Sequence, residues 1–137
     1  MGRATWMVTV TAVLLLAGCS KDEAVRKDLS AIDRLTDQLV ESVESARDPG
    51  AGVKAGRELL AAHRAEIVER LNRIGAVRGF QVNAETKKLI AKSVVGNLAK
   101  VNRLKVSMFR ATVGNDELSA ALDSLIDDYN SLLKAGK

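Results

Sequence analysis

The chain has 137 residues, a formal net charge of +4 and 47% hydrophobic residues, but only 3% of its residues are aromatic. This length suits one domain with a modest core. Proteins that bind glycans or single-stranded nucleic acid commonly stack them on aromatic rings, so the low aromatic content argues against both classes of ligand.

The first 20 residues combine a short basic start, an apolar run and the one cysteine of the sequence. Residues 6–17 form the apolar run, and no charge falls between Arg3 and Lys21. The run is shorter than the roughly 20 residues of a membrane-spanning helix, which favours a removed signal peptide. The stretch Leu16-Ala17-Gly18-Cys19 resembles the lipobox of bacterial lipoproteins.

This resemblance implies cleavage between Gly18 and Cys19, which removes residues 1–18. The Cys19 sulfur then carries diacylglycerol, and the new amino terminus usually receives a further acyl chain such as palmitate. Two or three acyl chains anchor a protein stably, whereas one holds it weakly. In proteobacterial lipoproteins an Asp after the lipidated Cys retains the protein in the inner membrane. Here that residue is Ser20, which implies the outer membrane, facing the periplasm.

The remaining sequence predicts an all-α domain of four amphipathic helices over residues 26–137, with residues 19–25 as the lipidated N-terminus and tether. The first helix covers about 20–47, and Asp48 to Gly52 has the composition of a turn. The second helix covers about 53–74, the third begins after Asn83 as its N-cap, and the fourth follows Gly114. The inward face of the first helix consists of Val25, Leu29, Ile32, Thr36, Leu39, Val43 and Ala46.

The third helix has the widest apolar arc, because Ala91, Leu98 and Phe109 extend the inward row that ends at Met108. We expect this wider arc to be buried more deeply than the others. Since short connections favour antiparallel neighbours, the predicted architecture is an up-down-up-down four-helix bundle.

Each predicted helix places one polar residue inward, at similar heights: Thr36, His63, Asn97 and Tyr129. One interpretation is a hydrogen-bonded layer that fixes the register of the helices. The alternative is a small-ligand site in which His63 and Tyr129 contact the ligand.

The sequence predicts no enzyme, no cofactor and no metal site. It has a single histidine, no Gly-x-Ser-x-Gly elbow and no phosphate-binding glycine loop. Haem is also excluded, because there is no Cys-x-x-Cys-His motif. His63 and Met108 would lie roughly 15 Å apart along the bundle, too far to share an iron.

The connection between the second and third helices is apolar and surrounded by basic residues. In an antiparallel bundle it lies at the lipid end, where basic side chains can contact an anionic leaflet. The alternative, which we prefer, is that its apolar residues fold back and cover the end of the core. The residues concerned are Arg73, Val77, Arg78, Phe80, Val82, Lys87 and Lys88.

Charge differs between the helices. Residues 51–80 hold six basic and three acidic side chains and residues 81–113 seven and one, whereas residues 19–50 and 114–137 are mainly acidic. If consecutive helices are neighbours, the bundle has a basic side that is available to an anionic partner or lipid. The alternative, which we prefer, is a solvated surface with ion pairs between the third and fourth helices.

These features favour a non-enzymatic adaptor or chaperone for another envelope protein. In size, lipobox and helix content the chain is similar to the all-helical pilotins, small lipoproteins that carry secretin subunits to the outer membrane. The disulfide of some pilotins cannot form here. The alternative is a small-ligand-binding or sensing bundle. A structural tether to peptidoglycan through Lys137, as in the major murein lipoprotein, is a weaker third idea. Export also argues against nucleic acid as a partner.

Overall fold

A computed structural model describes residues 20–135, which form five helices and no strand. The prediction of an all-α fold is confirmed for these residues. The helices are α1 (Asp22–Glu44), α2 (Pro49–Gly75), α3 (Ala84–Ser107), the single-turn α4 (Phe109–Thr112) and α5 (Asp116–Ala135). The predicted signal peptide, the predicted lipid-attachment residue Cys19 and the terminal Lys137 lie outside the described residues.

The predicted inward face of α1 is buried from Val25 to Val43, because apolar residues recur there with the spacing of a helical stripe. The boundary of the tether differs from the prediction. α1 begins at Asp22, and Val25 is already 2% exposed in contact with the core. Within the described residues, only Ser20 and Lys21 precede the first helix.

The prediction of a turn at residues 48–52 is wrong in its position, because α1 ends at Glu44, the break in the helices covers 45–48, and α2 begins at Pro49. The Asp48 side chain accepts a hydrogen bond from the backbone N–H of Ala51 at 2.8 Å, and proline is well suited to the first helical position. Gly52 lies where a Cβ would come within 2.6 Å of the Val43 carbonyl oxygen. This glycine therefore allows the start of α2 to approach the end of α1 closely.

The caps of the later helices follow the sequence. Asn83 accepts a hydrogen bond from the N–H of Thr86 at 2.8 Å and caps α3 as predicted. Gly114 has φ 76°, a left-handed conformation that reverses the chain, and the Asn115 side chain accepts from the N–H of Leu118 at 3.0 Å. The short helix α4 was not predicted.

The helices do not pack in simple chain order. α1 packs against α2 and α3, and α5 packs against the same two helices. Consecutive helices α2 and α3 are therefore not principal neighbours. Ion pairs indicate the directions: Asp28 near the start of α1 binds Arg73 near the end of α2, whereas Arg26 and Asp37 of α1 lie beside Glu85 and Lys100 of α3. α1 is thus antiparallel to α2 and parallel to α3.

This packing corrects the expectation of a basic side. The basic helices α2 and α3 each pack between the acidic helices α1 and α5, so opposite charges alternate around the domain. Pairs such as Lys105 with Asp123, 2.9 Å apart, join neighbouring helices. Most of the apolar core lies in one cluster that includes Leu39, Val101 and Leu125, all of them at most 1% exposed.

Candidate functional site

The four inward polar residues do not form one layer. Thr36 and Tyr129 are buried at the centre of the domain, and their hydroxyl groups are hydrogen-bonded to each other. The Thr36 hydroxyl donates to the carbonyl oxygen of Ile32 at 2.9 Å, so the Tyr129 hydroxyl is the donor toward Thr36. Burial raises the pKa of Tyr129 to about 12, which keeps the phenol neutral.

Asn97 belongs to a separate contact between α3 and α1. Its amide donates to the Asp33 carboxylate at 2.7 Å, and the Ser93 hydroxyl donates to the same oxygen at 2.5 Å. Asn97 is 2% exposed, and its side-chain amide joins these two helices. It therefore has a structural role in positioning α3 against α1.

His63 lies at the surface, which corrects its predicted inward position. The buried face of α2 passes through Leu60 and Ile67, and helical geometry turns residue 63 roughly 60° away from that line. The His63 side chain is 39% exposed, and its Nδ1 lies 3.0 Å from Glu66. A ligand site shared by His63 and Tyr129 is therefore not assembled.

Glu66 continues a chain of ionic contacts to the end of α2. Arg70 donates to Glu66 and to the buried Asp28, in both cases within 3.0 Å, and Arg73 donates to Asp28 at 2.8 and 2.9 Å. Hydrogen bonds from Arg73, reinforced by Arg70, lower the pKa of Asp28 although burial opposes the effect. Arg73 was expected to be available to lipid, but it joins α1 and α2 instead.

The loop over 76–83 divides its apolar residues between two environments. Val82 is buried with Val25 and Leu29, and Val77 packs against the same cluster. The expectation that the loop covers the end of the core is confirmed for these two valines. It is wrong for Phe80, which is 89% exposed.

An exposed apolar row on α3 and α4 is the largest feature that the sequence reasoning missed. The described residues contain five exposed large hydrophobic side chains. Val95 and Val106 lie on α3, Phe109 lies on α4 and Val113 directly after it, whereas Phe80 lies in the loop before α3. Exposed Ala91 and Ala99 continue the same spacing. We call this surface the α3–α4 stripe; it consists of Ala91, Val95, Ala99, Val106, Phe109 and Val113.

The α3–α4 stripe also overturns the expectation that the wide apolar arc of the third helix is deeply buried. Val101 and Leu104 face the core with no exposed surface, whereas Ala91 and Phe109 lie on the opposite, exposed side. The arc consists of two rows rather than one. The intervals of four, seven and three residues between Val95, Ala99, Val106 and Phe109 were visible in the sequence, and they were the signal for the second row.

A row of exposed basic residues runs along one flank of the stripe. By helical geometry Lys92 and Arg103 lie about 60–80° from its centre on α3, on the same side, and Arg110 follows Phe109 on α4. None of these three has an ion-pair partner among residues 20–135, whereas Lys100 and Lys105 on the other faces of α3 are paired. The combination is an apolar strip with unneutralised positive charge beside it.

Other features give no reaction centre in the part of the chain that the structure describes. Within it, no group of three or more His, Cys, Asp or Glu residues is arranged to hold a metal ion. No helix between residues 20 and 135 combines the length and the apolar content that crossing a bilayer requires. Comparison with protein-family models, curated proteins and solved structures gave no match to the chain.

Proposed function

We propose that this chain is a lipid-anchored, periplasm-facing envelope lipoprotein of the outer membrane that acts as a non-enzymatic adaptor or chaperone for another envelope protein. The observation that carries the proposal is the α3–α4 stripe, because four of the five exposed large hydrophobic residues of the described chain lie on α3, on α4 or directly after α4. Scattered exposed apolar residues are ordinary, but an aligned apolar patch is typical of a protein-binding surface.

The proposed scaffold is an up-down-up-down four-helix bundle of α1, α2, α3 and α5. Its support is pairwise: α1 is antiparallel to α2 and parallel to α3, and Lys105 of α3 pairs with Asp123 of α5. The connection over 76–83 then crosses one end of the bundle, because α2 and α3 are not principal neighbours.

The partner segment that suits the stripe is an acidic amphipathic helix. A helix laid along the stripe would bury its own apolar row against Val95, Val106 and Phe109, as helices do in grooves and coiled coils. Acidic residues on one flank of that helix would meet Lys92, Arg103 and Arg110. Charge complementarity of this kind fixes orientation and excludes basic competitors.

The alternative of a small-ligand-binding bundle has lost its main support. It required His63, Asn97, Thr36 and Tyr129 to surround one cavity. His63 is instead at the surface with Glu66, and Asn97 binds Asp33. We therefore carry forward the adaptor alone.

The adaptor proposal is tested by isolating the lipidated protein from crosslinked envelopes and comparing two double variants. Val106→Asp with Phe109→Asp should reduce recovery of a stoichiometric partner about 30-fold, since central interface residues contribute about 2 kcal/mol or more. Ala55→Asp with Ala62→Asp adds the same charge to exposed alanines of α2 and should leave recovery unchanged.

The chemistry of the partner gives a second criterion. Crosslinks from the stripe should map to a helical segment with Asp or Glu on one flank, and reversing Lys92, Arg103 and Arg110 to Glu should abolish recovery. Partner binding that survives both the apolar and the charge-reversal variants would overturn the proposal. So would a protein that is isolated with a bound small molecule and no protein partner.

The lipid anchor is tested separately. A Cys19→Ser variant exported behind a signal peptide of the non-lipoprotein type should appear in the soluble periplasmic fraction. Retention in the membrane fraction after peripheral proteins have been released would show that the lipobox interpretation is wrong.

A further inference from the structure

The loop over 76–83 is fixed to the beginning of α1, next to the proposed lipid attachment. The N–H of Lys21 donates to the carbonyl oxygen of Gln81 at 2.8 Å, and the N–H of Asn83 donates to the Asp22 carboxylate at 3.0 Å. Lys21 is two residues from Cys19, a chain distance of at most about 7 Å. Any acyl chains on Cys19 therefore enter the membrane close to this loop.

The tip of the loop is held in shape by its own hydrogen bonds. The N–H of Gln81 donates to the carbonyl oxygen of Arg78 at 2.8 Å, and the Gln81 side chain accepts from the N–H of Arg78 at 2.9 Å. These bonds close a turn in which Phe80 is 89% exposed. Because Val77 and Val82 on either side pack against the core, the outward position of Phe80 is set by a structured turn.

One basic side chain lies beside this tip, and three more basic residues are close to it in the chain. A Cβ at Gly79 would lie 3.6 Å from Nζ of Lys87, so an ammonium group lies directly beside the turn. Exposed Lys21, Arg78 and Lys88 are close in sequence to the loop or to the tether, and none of these four has an ion-pair partner among residues 20–135. Nearby acids Glu69 and Glu85 are already paired, with Arg73 and Arg26 respectively.

We propose that Phe80 is a membrane-inserting residue and that Lys21, Arg78, Lys87 and Lys88 contact anionic headgroups of the leaflet that holds the acyl chains. An aromatic ring at the headgroup boundary with basic side chains around it is the arrangement that binds an anionic bilayer surface. The proposal rests on the lipid anchor of the proposed function. These contacts would orient the bundle on the membrane. The end with the 76–83 loop would face the bilayer, and α3 would extend away from it.

This orientation separates the two exposed phenylalanines. α3 has 24 residues and is about 36 Å long, with Phe80 before its start and Phe109 beyond its end. Phe109 and the distal part of the α3–α4 stripe are then well clear of the bilayer, where a periplasmic partner can reach them. Phe80 is then in the membrane, where its side chain contacts lipid rather than protein.

Single-tryptophan fluorescence tests the inference on the lipidated protein. Trp6 is the one tryptophan in the sequence and is removed with the signal peptide under the proposed function. Phe80→Trp and Phe109→Trp therefore each introduce one probe at an exposed site. Both variants are reconstituted into phosphatidylcholine vesicles with and without phosphatidylglycerol, some of them containing brominated acyl chains as quenchers.

We expect blue-shifted emission and strong quenching for Phe80→Trp, and water-like emission without quenching for Phe109→Trp. The additional variants Arg78→Gln and Lys87→Gln should reduce quenching of the Phe80→Trp probe in the vesicles with phosphatidylglycerol. Phe80→Ala should weaken vesicle binding of the exported Cys19→Ser protein about tenfold, the loss expected when one buried aromatic side chain is removed.

The outcomes separate this inference from the proposed function. Failure of the lipidated protein to associate with vesicles, or residual Trp6 fluorescence in the unsubstituted protein, would refute the lipid anchor. Vesicle association with water-like emission from Phe80→Trp would refute the inference alone. Emission that is blue-shifted without vesicles and depends on protein concentration would also refute the inference. In that case a second copy of the chain, and not lipid, would cover residue 80.

Discussion

Substitution of Gly52 by alanine tests the close approach of α1 and α2. The added Cβ would lie 2.6 Å from the Val43 carbonyl oxygen and 2.9 Å from the Cβ of Ala46. The first contact is with backbone, which cannot rotate out of the way as the end of a side chain can. The two helices must therefore move apart at the point where α1 turns into α2.

The size of the effect follows from two opposing contributions. Alanine is favoured over glycine within a helix by about 1 kcal/mol, whereas forcing an extra carbon into a packed contact costs about 1–3 kcal/mol. Because the clash at Gly52 is with backbone, we take the upper part of that range and expect a net loss of about 1–2 kcal/mol. Tm should fall by about 4–8 °C or somewhat more.

Gly56 and Gly96 give matched comparisons on the same domain. At Gly56 the new Cβ would meet side-chain atoms of Val43 at 2.8 Å and Leu125 at 3.2 Å, which can adjust, so the loss should be smaller. At Gly96 no atom lies within 4 Å, and Gly96→Ala should raise stability by about 0.4–1 kcal/mol.

Urea unfolding followed by far-UV circular dichroism measures all three variants. The expected order of stability is Gly96→Ala, then Gly56→Ala, then Gly52→Ala. If Gly52→Ala proves as stable as Gly96→Ala, the argument from the α1–α2 contact is refuted.

Two further predictions concern buried ionisable groups. Tyr129 ionises near pH 10.0 when unfolded but near pH 12 when folded, so stability should fall by about 3 kcal/mol as the pH rises between these values. Tyr129→Phe should lower the free energy of unfolding by only about 1 kcal/mol at neutral pH, because Thr36 keeps its hydrogen bond to Ile32. In urea titrations at increasing pH, the free energy of unfolding of this variant should decline less steeply than that of the unsubstituted chain. An equally steep decline would contradict the assignment of the raised pKa to Tyr129. Asp28→Asn removes the carboxylate that holds Arg70 and Arg73 and should cost about 2 kcal/mol. Because the folded-state pKa of Asp28 is lowered, its contribution is complete above its ordinary pKa of 3.8 and is lost as the pH falls through the lower folded value. The variant should therefore lose less stability on acidification than the unsubstituted chain, and parallel acid profiles would contradict this.

The sequence alone determined where most helices lie and how they begin. Asn83 and the Gly114-Asn115 pair marked helix boundaries that the structure reproduces, because capping depends on side chains that contact their own local backbone. The inward faces of α1 and α5 were also readable, since each has a single apolar stripe. The prediction from composition was wrong at Pro49. The stretch from Asp48 has the composition of a turn, but Asp48 is an N-cap and Pro49 is the first residue of α2.

Only the tertiary structure determined which helix faces are buried against other helices. Helical periodicity specifies which residues share a face, but a helix with two apolar rows can bury either one, and the choice depends on neighbours that are distant in sequence. Because α3 packs against α1 and α5, the row of Val101 and Leu104 is buried and the row of Val95 and Val106 is exposed. The same packing order placed each basic helix between the two acidic helices.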